Sequence, residues 1–188
     1  MDNIVTIMKD GNLMEKTNKQ KFNNIALIGH MGSGKSTIGK LLAKKLNFFH
    51  IDSDRLIEKK YKKTIKEIFT ENGEKFFRNA EEEAILNIQQ NNCVLSLGGG
   101  AILSKSIRNL LKNKFLTIFL DVDIMKLVDR LQKTSKRPLL INLDIEKKIK
   151  ELDLTRRKFY LLADITIRNI NDPLNTVNII MEKYKNFK

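Results

Sequence analysis

Three kinds of chemistry are closed to this chain by what it lacks. Only one of its 188 residues is cysteine, Cys93 at the start of an apolar run, so disulfides and a cysteine-based zinc site are excluded. No apolar run approaches the roughly 18 residues of a membrane span, and no membrane partner is expected. Residues 1–23 are polar and lysine-rich, and their one apolar patch, Ile4-Val5-Thr6-Ile7-Met8, is too short for a signal-peptide core. A reducing cytoplasm is the expected location. Repeats and proline- or serine-rich linkers are also missing, so the length suits one domain at 24–188 behind a flexible polar extension at 1–23. Acidic residues are scarce, 22 against 35 lysines and arginines, which leaves a net charge of +13. The lysines are spread along the chain, without aromatic-interleaved basic patches or zinc-finger spacing. That balance favours anionic small molecules over nucleic acid, which is not an expected partner.

What is present alternates regularly. Apolar strand-type runs at 24–28, 48–52, 93–97, 116–121 and 165–168 are separated by helical periodicities. These are Ile38, Leu41, Leu42 and Leu46; Phe77, Ala80, Ala84, Ile85 and Ile88; Ile107, Leu110 and Leu111; and Ile145, Ile149 and Leu152. The alternation predicts an α/β fold with a parallel sheet covered on both faces. Ligands in such sheets bind beyond the carboxyl ends of the strands. Three strand exits stand out there: the segment after residue 28, Asp52-Ser53-Asp54, and Gly98-Gly99-Gly100.

The first exit reads Gly29-His30-Met31-Gly32-Ser33-Gly34-Lys35-Ser36, which fits G-x-x-x-x-G-K-[ST] between a strand and a helix. Its glycines let backbone N–H groups turn into one concavity that binds phosphate oxygens. Lys35 supplies a charge for the β- and γ-phosphates, Ser36 a hydroxyl for Mg²⁺, and the helix N-terminus its dipole. Asp52 and Asp54 leave the second strand one residue apart. One could stand near a metal while the other faces an acceptor hydroxyl, or Asp54 could simply cap a helix from Arg55 to Tyr61. The glycine triplet is either a loop or a place where a ligand touches backbone.

Arg156 lies in the middle of the apolar stripe formed by Ile145, Ile149, Leu152, Phe159 and Ala163, whereas Arg157 points away. A guanidinium there is a snorkelling or ion-paired side chain, or it projects into a cleft to grip an anion. Arg78 has Glu74, Glu81 and Glu82 at helical spacing, and Glu81 falls on the apolar side, a position suited to orienting Arg78. Residues 132–136 form a polar connector ahead of Arg137-Pro138-Leu139-Leu140. This is either an ordinary loop or a mobile segment that closes over a nucleotide and brings in Arg137. His30 and His50 have no companions at metal-ligand spacing and read as structural.

Taken in order, these motifs resemble the shikimate kinase family of nucleoside-monophosphate-kinase-like phosphate-loop proteins. The resemblance runs from Ile25 to about Tyr184. It rests on the phosphate loop, Asp52-Ser53-Asp54, Ile68-Phe69 with Gly73-Glu74, Phe77-Arg78 with Glu81, Gly98–Gly100, Arg130 with Arg137-Pro138-Leu139-Leu140, and Arg156 with Tyr160, Ala163 and Asp164. It implies a three-layer α/β/α phosphate-loop kinase fold with a five-stranded parallel sheet in the order 2-3-1-4-5. A substrate-binding region would lie at about 53–90 and a mobile lid at about 131–143. The substrates would be ATP and shikimate, with Mg²⁺, in a monomer. Gly32, Ser33, Gly34, Lys35, Ser36 and Thr37 would hold the phosphates, Ser36 and Asp52 would serve the metal, and Arg130 would lie near the adenine. Arg78, Arg156 and Gly98, Gly99 and Gly100 would hold shikimate. Asp54 would bind its hydroxyls and accept the proton, acting with Lys35 and Arg137 as the catalytic set. Two departures are visible: Lys158 replaces the family's usual proline, which weakens a local turn, and the loop near 169–173 is too divergent to assign.

The nearest alternative is a phosphate-loop kinase for gluconate or a nucleoside monophosphate. Such an enzyme has no reason to keep Asp54, Arg78 and Arg156 together around a glycine triplet. A GTP switch would need Asn-Lys-x-Asp, and neither Asn18-Lys19-Gln20-Lys21 nor Asn113-Lys114-Phe115-Leu116 supplies the aspartate.

Overall fold

The structure, a computed structural model, describes residues 7–9, 12–14, 22–133, 144–168, 172–185 and 187. Ahead of the first expected strand, β1 (Ile7–Lys9) and β2 (Asn12–Met14) pair antiparallel. The five apolar runs then become β3 (Ile25–Ile28), β4 (Phe49–Asp52), β5 (Cys93–Ser96), β6 (Leu116–Asp121) and β7 (Ile165–Arg168). They form one parallel sheet in the order β4-β5-β3-β6-β7. Numbered by the five runs, that is 2-3-1-4-5, the order the resemblance implies.

Central β3 is buried on both faces, which is why it reads as an unbroken apolar run. Its side chains alternate between two cores. Ile25 and Leu27 pack with Ile38 and Leu42 of α1 (Lys35–Leu46), Leu127 and Leu131 of α5 (Ile124–Gln132), and Val177 and Ile180 of α7 (Pro173–Lys185). Ala26 and Ile28 pack with Ile85 of α3 (Ile65–Leu86) and with Ile107 and Leu111 of α4 (Lys105–Lys114). Helix α6 (Ile145–Tyr160) gives Ile149 to the first core and Tyr160 to the second, so it crosses over the end of the sheet. Helix α2 (Ser53–Tyr61) joins α3 through a small separate cluster of Ile57, Ile68 and Phe77. Thr64 and Glu67 cap α3 reciprocally, and Gly73 kinks it at φ 79° and ψ 172°.

Three local expectations are corrected. The cap of α2 is Asp52, not Asp54, and the helix starts at Ser53 rather than Arg55. Helix α6 ends at Tyr160, so Ala163 lies beyond the stripe it was expected to join. Lys158 sits inside that unbroken helix, where it leaves the main-chain ladder intact as proline would not, so no turn is weakened there. Among the described residues, no helix is long and apolar enough to cross a membrane.

Candidate functional site

Between β3 and α1 the chain turns through Gly29, Gly32 and Gly34 at φ 141°, 78° and 92°. Side chains other than glycine rarely adopt these values, and a Cβ on Gly32 would also crowd Leu131 Cγ at 3.2 Å. Gly34 caps α1, which leaves the N–H groups of the first turn aimed into the loop's concavity. Lys35 is largely buried, and its Nζ donates to Gly29 O at 2.8 Å and His30 O at 2.7 Å. Ser33 is buried, whereas Ser36 and Thr37 are exposed on the first turn of α1. Arg130 reaches over from α5 and donates Nη1 to Gly32 O at 3.2 Å, so it touches the phosphate loop itself.

At the exit of β4, Asp52 Oδ1 accepts the main-chain N–H groups of Asp54 at 3.1 Å and Arg55 at 3.4 Å. Buried Ser53 accepts the N–H of Gly98 at 2.8 Å through Oγ, pinning this exit to that of β5. The glycine triplet is where the remaining groups meet. A Cβ on Gly98 would lie 3.0 Å from Asp54 Oδ1 and run into Glu81 Oε1. One on Gly99 would lie 3.4 Å from each of Arg156 Nη1, Gly29 O and Met31 N, and one on Gly100 would collide with the Arg78 guanidinium. Asp54, Arg78, Arg156 and the phosphate loop therefore surround one stretch of bare backbone. The missing side chains are what let them approach.

The two arginines differ in their surroundings. Arg78 donates Nη1 to Glu81 Oε2 at 2.5 Å and Nη2 to Glu74 Oε1 at 3.2 Å. Glu81 is 1% exposed; burial pushes its carboxyl above the usual range, against the pull of Arg78. Arg156 is 4% exposed, and burial lowers its pKa, with the Arg78 charge acting in the same direction. Buried Arg156 Nε and Glu81 Oε1 have no hydrogen-bond partner among the described residues. A desolvated guanidinium with an unmet donor is a strong anion receptor.

Two further residues belong to this surface without having been singled out for it. Tyr160 donates its hydroxyl to Gly99 O at 2.6 Å, and burial pushes its pKa to about 12. His30, a phosphate-loop residue, bonds Asp153 of α6 through Nε2 at 2.8 Å and packs edge-on against the Tyr160 ring. His50 bonds Ser96 Oγ at 3.0 Å, and Ser96 donates to Lys35 O. These pairings join distant parts of the chain, and helical or strand periodicity carries no signal for them. Arg137 and residues 134–143 of the expected lid lie outside the described residues, as do 169–171.

Among the described residues, no group of three or more His, Cys, Asp or Glu could hold a metal. Ser36 and Asp52, the expected Mg²⁺ residues, offer oxygens on the first turn of α1 and at the end of β4, and the helix cap engages only Oδ1 of Asp52. Such a pair suits a hard cation that retains several waters and takes few protein ligands.

A family model described as shikimate kinase matches residues 31–185. A shikimate kinase from Sulfurihydrogenibium sp. (strain YO3AOP1) is 44% identical over 166 residues, covering 86% of this chain and 98% of that protein. The structure of a shikimate kinase from Acinetobacter baumannii in complex with shikimate superposes with a TM-score of 0.85 at 32% identity, covering 89% and 95% of the two chains. A gluconokinase from Sinorhizobium meliloti 1021 shares the fold at a TM-score of 0.53 and 15% identity, covering 89% and 94%.

Proposed function

This chain belongs to the shikimate kinase family, and from that premise we propose how its own residues transfer the γ-phosphoryl group of ATP to the 3-hydroxyl of shikimate, giving shikimate 3-phosphate and ADP on the route to aromatic amino acids. The observation that carries the reading is the meeting of Asp54, Arg78 and Arg156 around Gly98–Gly100, beside the phosphate loop. Shikimate is a small carboxylate with several hydroxyls. Two guanidiniums and one carboxylate are the complementary set.

Arg156, buried and with an unmet Nε, and Arg78, steadied by Glu81, hold the substrate carboxylate. Asp54 accepts hydrogen bonds from the hydroxyls and takes the proton of the 3-hydroxyl as that oxygen attacks the γ-phosphorus. A new O–P bond forms while the bond from phosphorus to the β,γ-bridging oxygen breaks, and the electron pair leaves with ADP. The N–H groups of Gly32 to Thr37 hold the phosphates. Lys35 swings its ammonium from the carbonyls of Gly29 and His30 to the β- and γ-oxygens. Ser36 and Asp52 would hold Mg²⁺, which would supply neutralisation of the phosphate charge. Arg130 serves the nucleotide from its seat on Gly32 O. Arg137 is assigned to the γ-phosphoryl by the family resemblance alone. We propose that the enzyme acts as a monomer in the cytoplasm; the protein groups named belong to one chain, so the chemistry as drawn calls on no second subunit.

The test is ADP release with shikimate, gluconate and AMP as alternative acceptors. Turnover with shikimate alone is expected. Turnover confined to gluconate or AMP would overturn the reading.

A further inference from the structure

We infer that His30 and Asp153 form a positioning pair that fixes the phosphate loop relative to the helix carrying Arg156. The inference rests on the kinase reading above and extends it to two side chains that the reading does not use. The phosphate-loop pattern leaves position 30 open, and holding phosphate does not need a histidine there. Here the two halves of one residue serve different parts of the site. The main-chain oxygen of His30 accepts from Lys35 Nζ at 2.7 Å and from Ser33 N at 3.2 Å, so it shapes the loop around the ammonium. Its side chain reaches in the other direction, 123 residues along the chain, to Asp153 Oδ1 at 2.8 Å.

Asp153 precedes Arg156 by less than one helical turn, so whatever holds Asp153 also sets the height of Arg156. The same carboxylate takes Arg157 Nη1 at 3.3 Å, and Arg157 continues to Asp121 at the exit of β6 at 3.2 Å. The His30 ring lies 5.0 Å from that of Tyr160, whose hydroxyl holds Gly99 O. The imidazole is almost fully buried, and its Nδ1 has no partner among the described residues, so the Asp153 bond is its anchor. One side chain thus links nucleotide loop, acid-binding helix and glycine triplet. In-line transfer needs the acceptor oxygen and the phosphorus aligned, and a misplacement of about 1 Å can cost about a hundredfold in rate.

The test uses the full-length enzyme. His30→Phe keeps ring volume against Tyr160 and removes the donor; Asp153→Leu removes the acceptor from the other side. Each is expected to lower kcat about tenfold or more well below its Tm, with the KM for ATP and for shikimate changed less than about threefold. The double variant should lose no more than either single one. His30→Gln, whose amide nitrogen can take the place of Nε2, should recover kcat to within about threefold of wild type. If one single variant fails to fold, the other and the glutamine rescue carry the measurement. Wild-type kcat in His30→Phe or Asp153→Leu, whatever the loss in Tm, would leave the pair a structural bond and overturn the inference. So would additive losses in the double variant. A wild-type protein that does not phosphorylate shikimate would overturn the kinase reading itself, and this inference with it.

Discussion

Glu81 is the residue whose charge the site most constrains. It is nearly inaccessible, it grips Arg78 with one oxygen, and its other oxygen is unpartnered among the described residues. Burial is the larger influence on its pKa and raises it; Arg78 pulls the other way without cancelling the effect. The folded state therefore binds this proton more tightly than the unfolded chain does. The stability contributed by proton binding is fully present below the ordinary value of 4.5 and is lost as pH rises through the raised folded value. Replacing the carboxyl by an uncharged amide removes that dependence. The Tm of Glu81→Gln relative to wild type should move in the variant's favour between about pH 4 and about pH 7. Its KM for shikimate should rise roughly three- to tenfold, because the amide holds Arg78 less firmly. A Tm difference that stays constant with pH would show that the buried carboxyl is not the source of the effect.

At the scale of elements, the strand exits are joined by specific bonds rather than by the sheet alone. Ser53 is fully buried, and its hydroxyl oxygen is the acceptor for the Gly98 N–H, tying α2 to the glycine triplet. Ser53→Ala leaves that N–H without its acceptor, at a cost of about 1–3 kcal/mol by urea denaturation. Since Asp54 rides on the same turn against Gly98, the variant should also raise the KM for shikimate while the KM for ATP stays near wild type. Equal changes in both would mean a general loosening of the sheet end. The strands themselves were legible because buried parallel strands are continuous apolar runs, as in Ile25-Ala26-Leu27-Ile28. Arg156 was legible from helical phase, since an arginine in the middle of an apolar stripe has few places to go. Helices α5 and α7 carry apolar spacing too (Leu127, Val128 and Leu131; Val177, Ile180 and Tyr184), and closer reading of that spacing would have found them. The start of α2 was misread because two aspartates compete for one cap, and the main-chain geometry that decides between them is set by the sheet. The bonds of His30 to Asp153 and of Tyr160 to Gly99 join residues 123 and 61 positions apart, and no local pattern encodes a meeting of that kind.

At the scale of the molecule, the charge balance and the site point the same way. The chain carries a surplus of 13 positive charges, and its two substrates are both anions. The lysines are dispersed, so their field is broad and weak at any one point instead of focused, and added salt screens it within about 10 Å at 0.1 M. Inside the cleft, Arg156 and Lys35 are buried, and their interactions are screened far less. Ionic strength should therefore act on encounter and leave the chemical step alone. Raising NaCl from about 20 mM to about 500 mM is expected to lower kcat/KM for shikimate about three- to tenfold through KM, with kcat changed less than about twofold. Duplex DNA should not compete with ATP at about 150 mM salt, because phosphate contacts made by scattered lysines are lost steeply as counterions return. A kcat that falls in parallel with kcat/KM would mean that salt reaches the buried groups. A response flat in both would mean that the surplus charge has no part in capturing substrate.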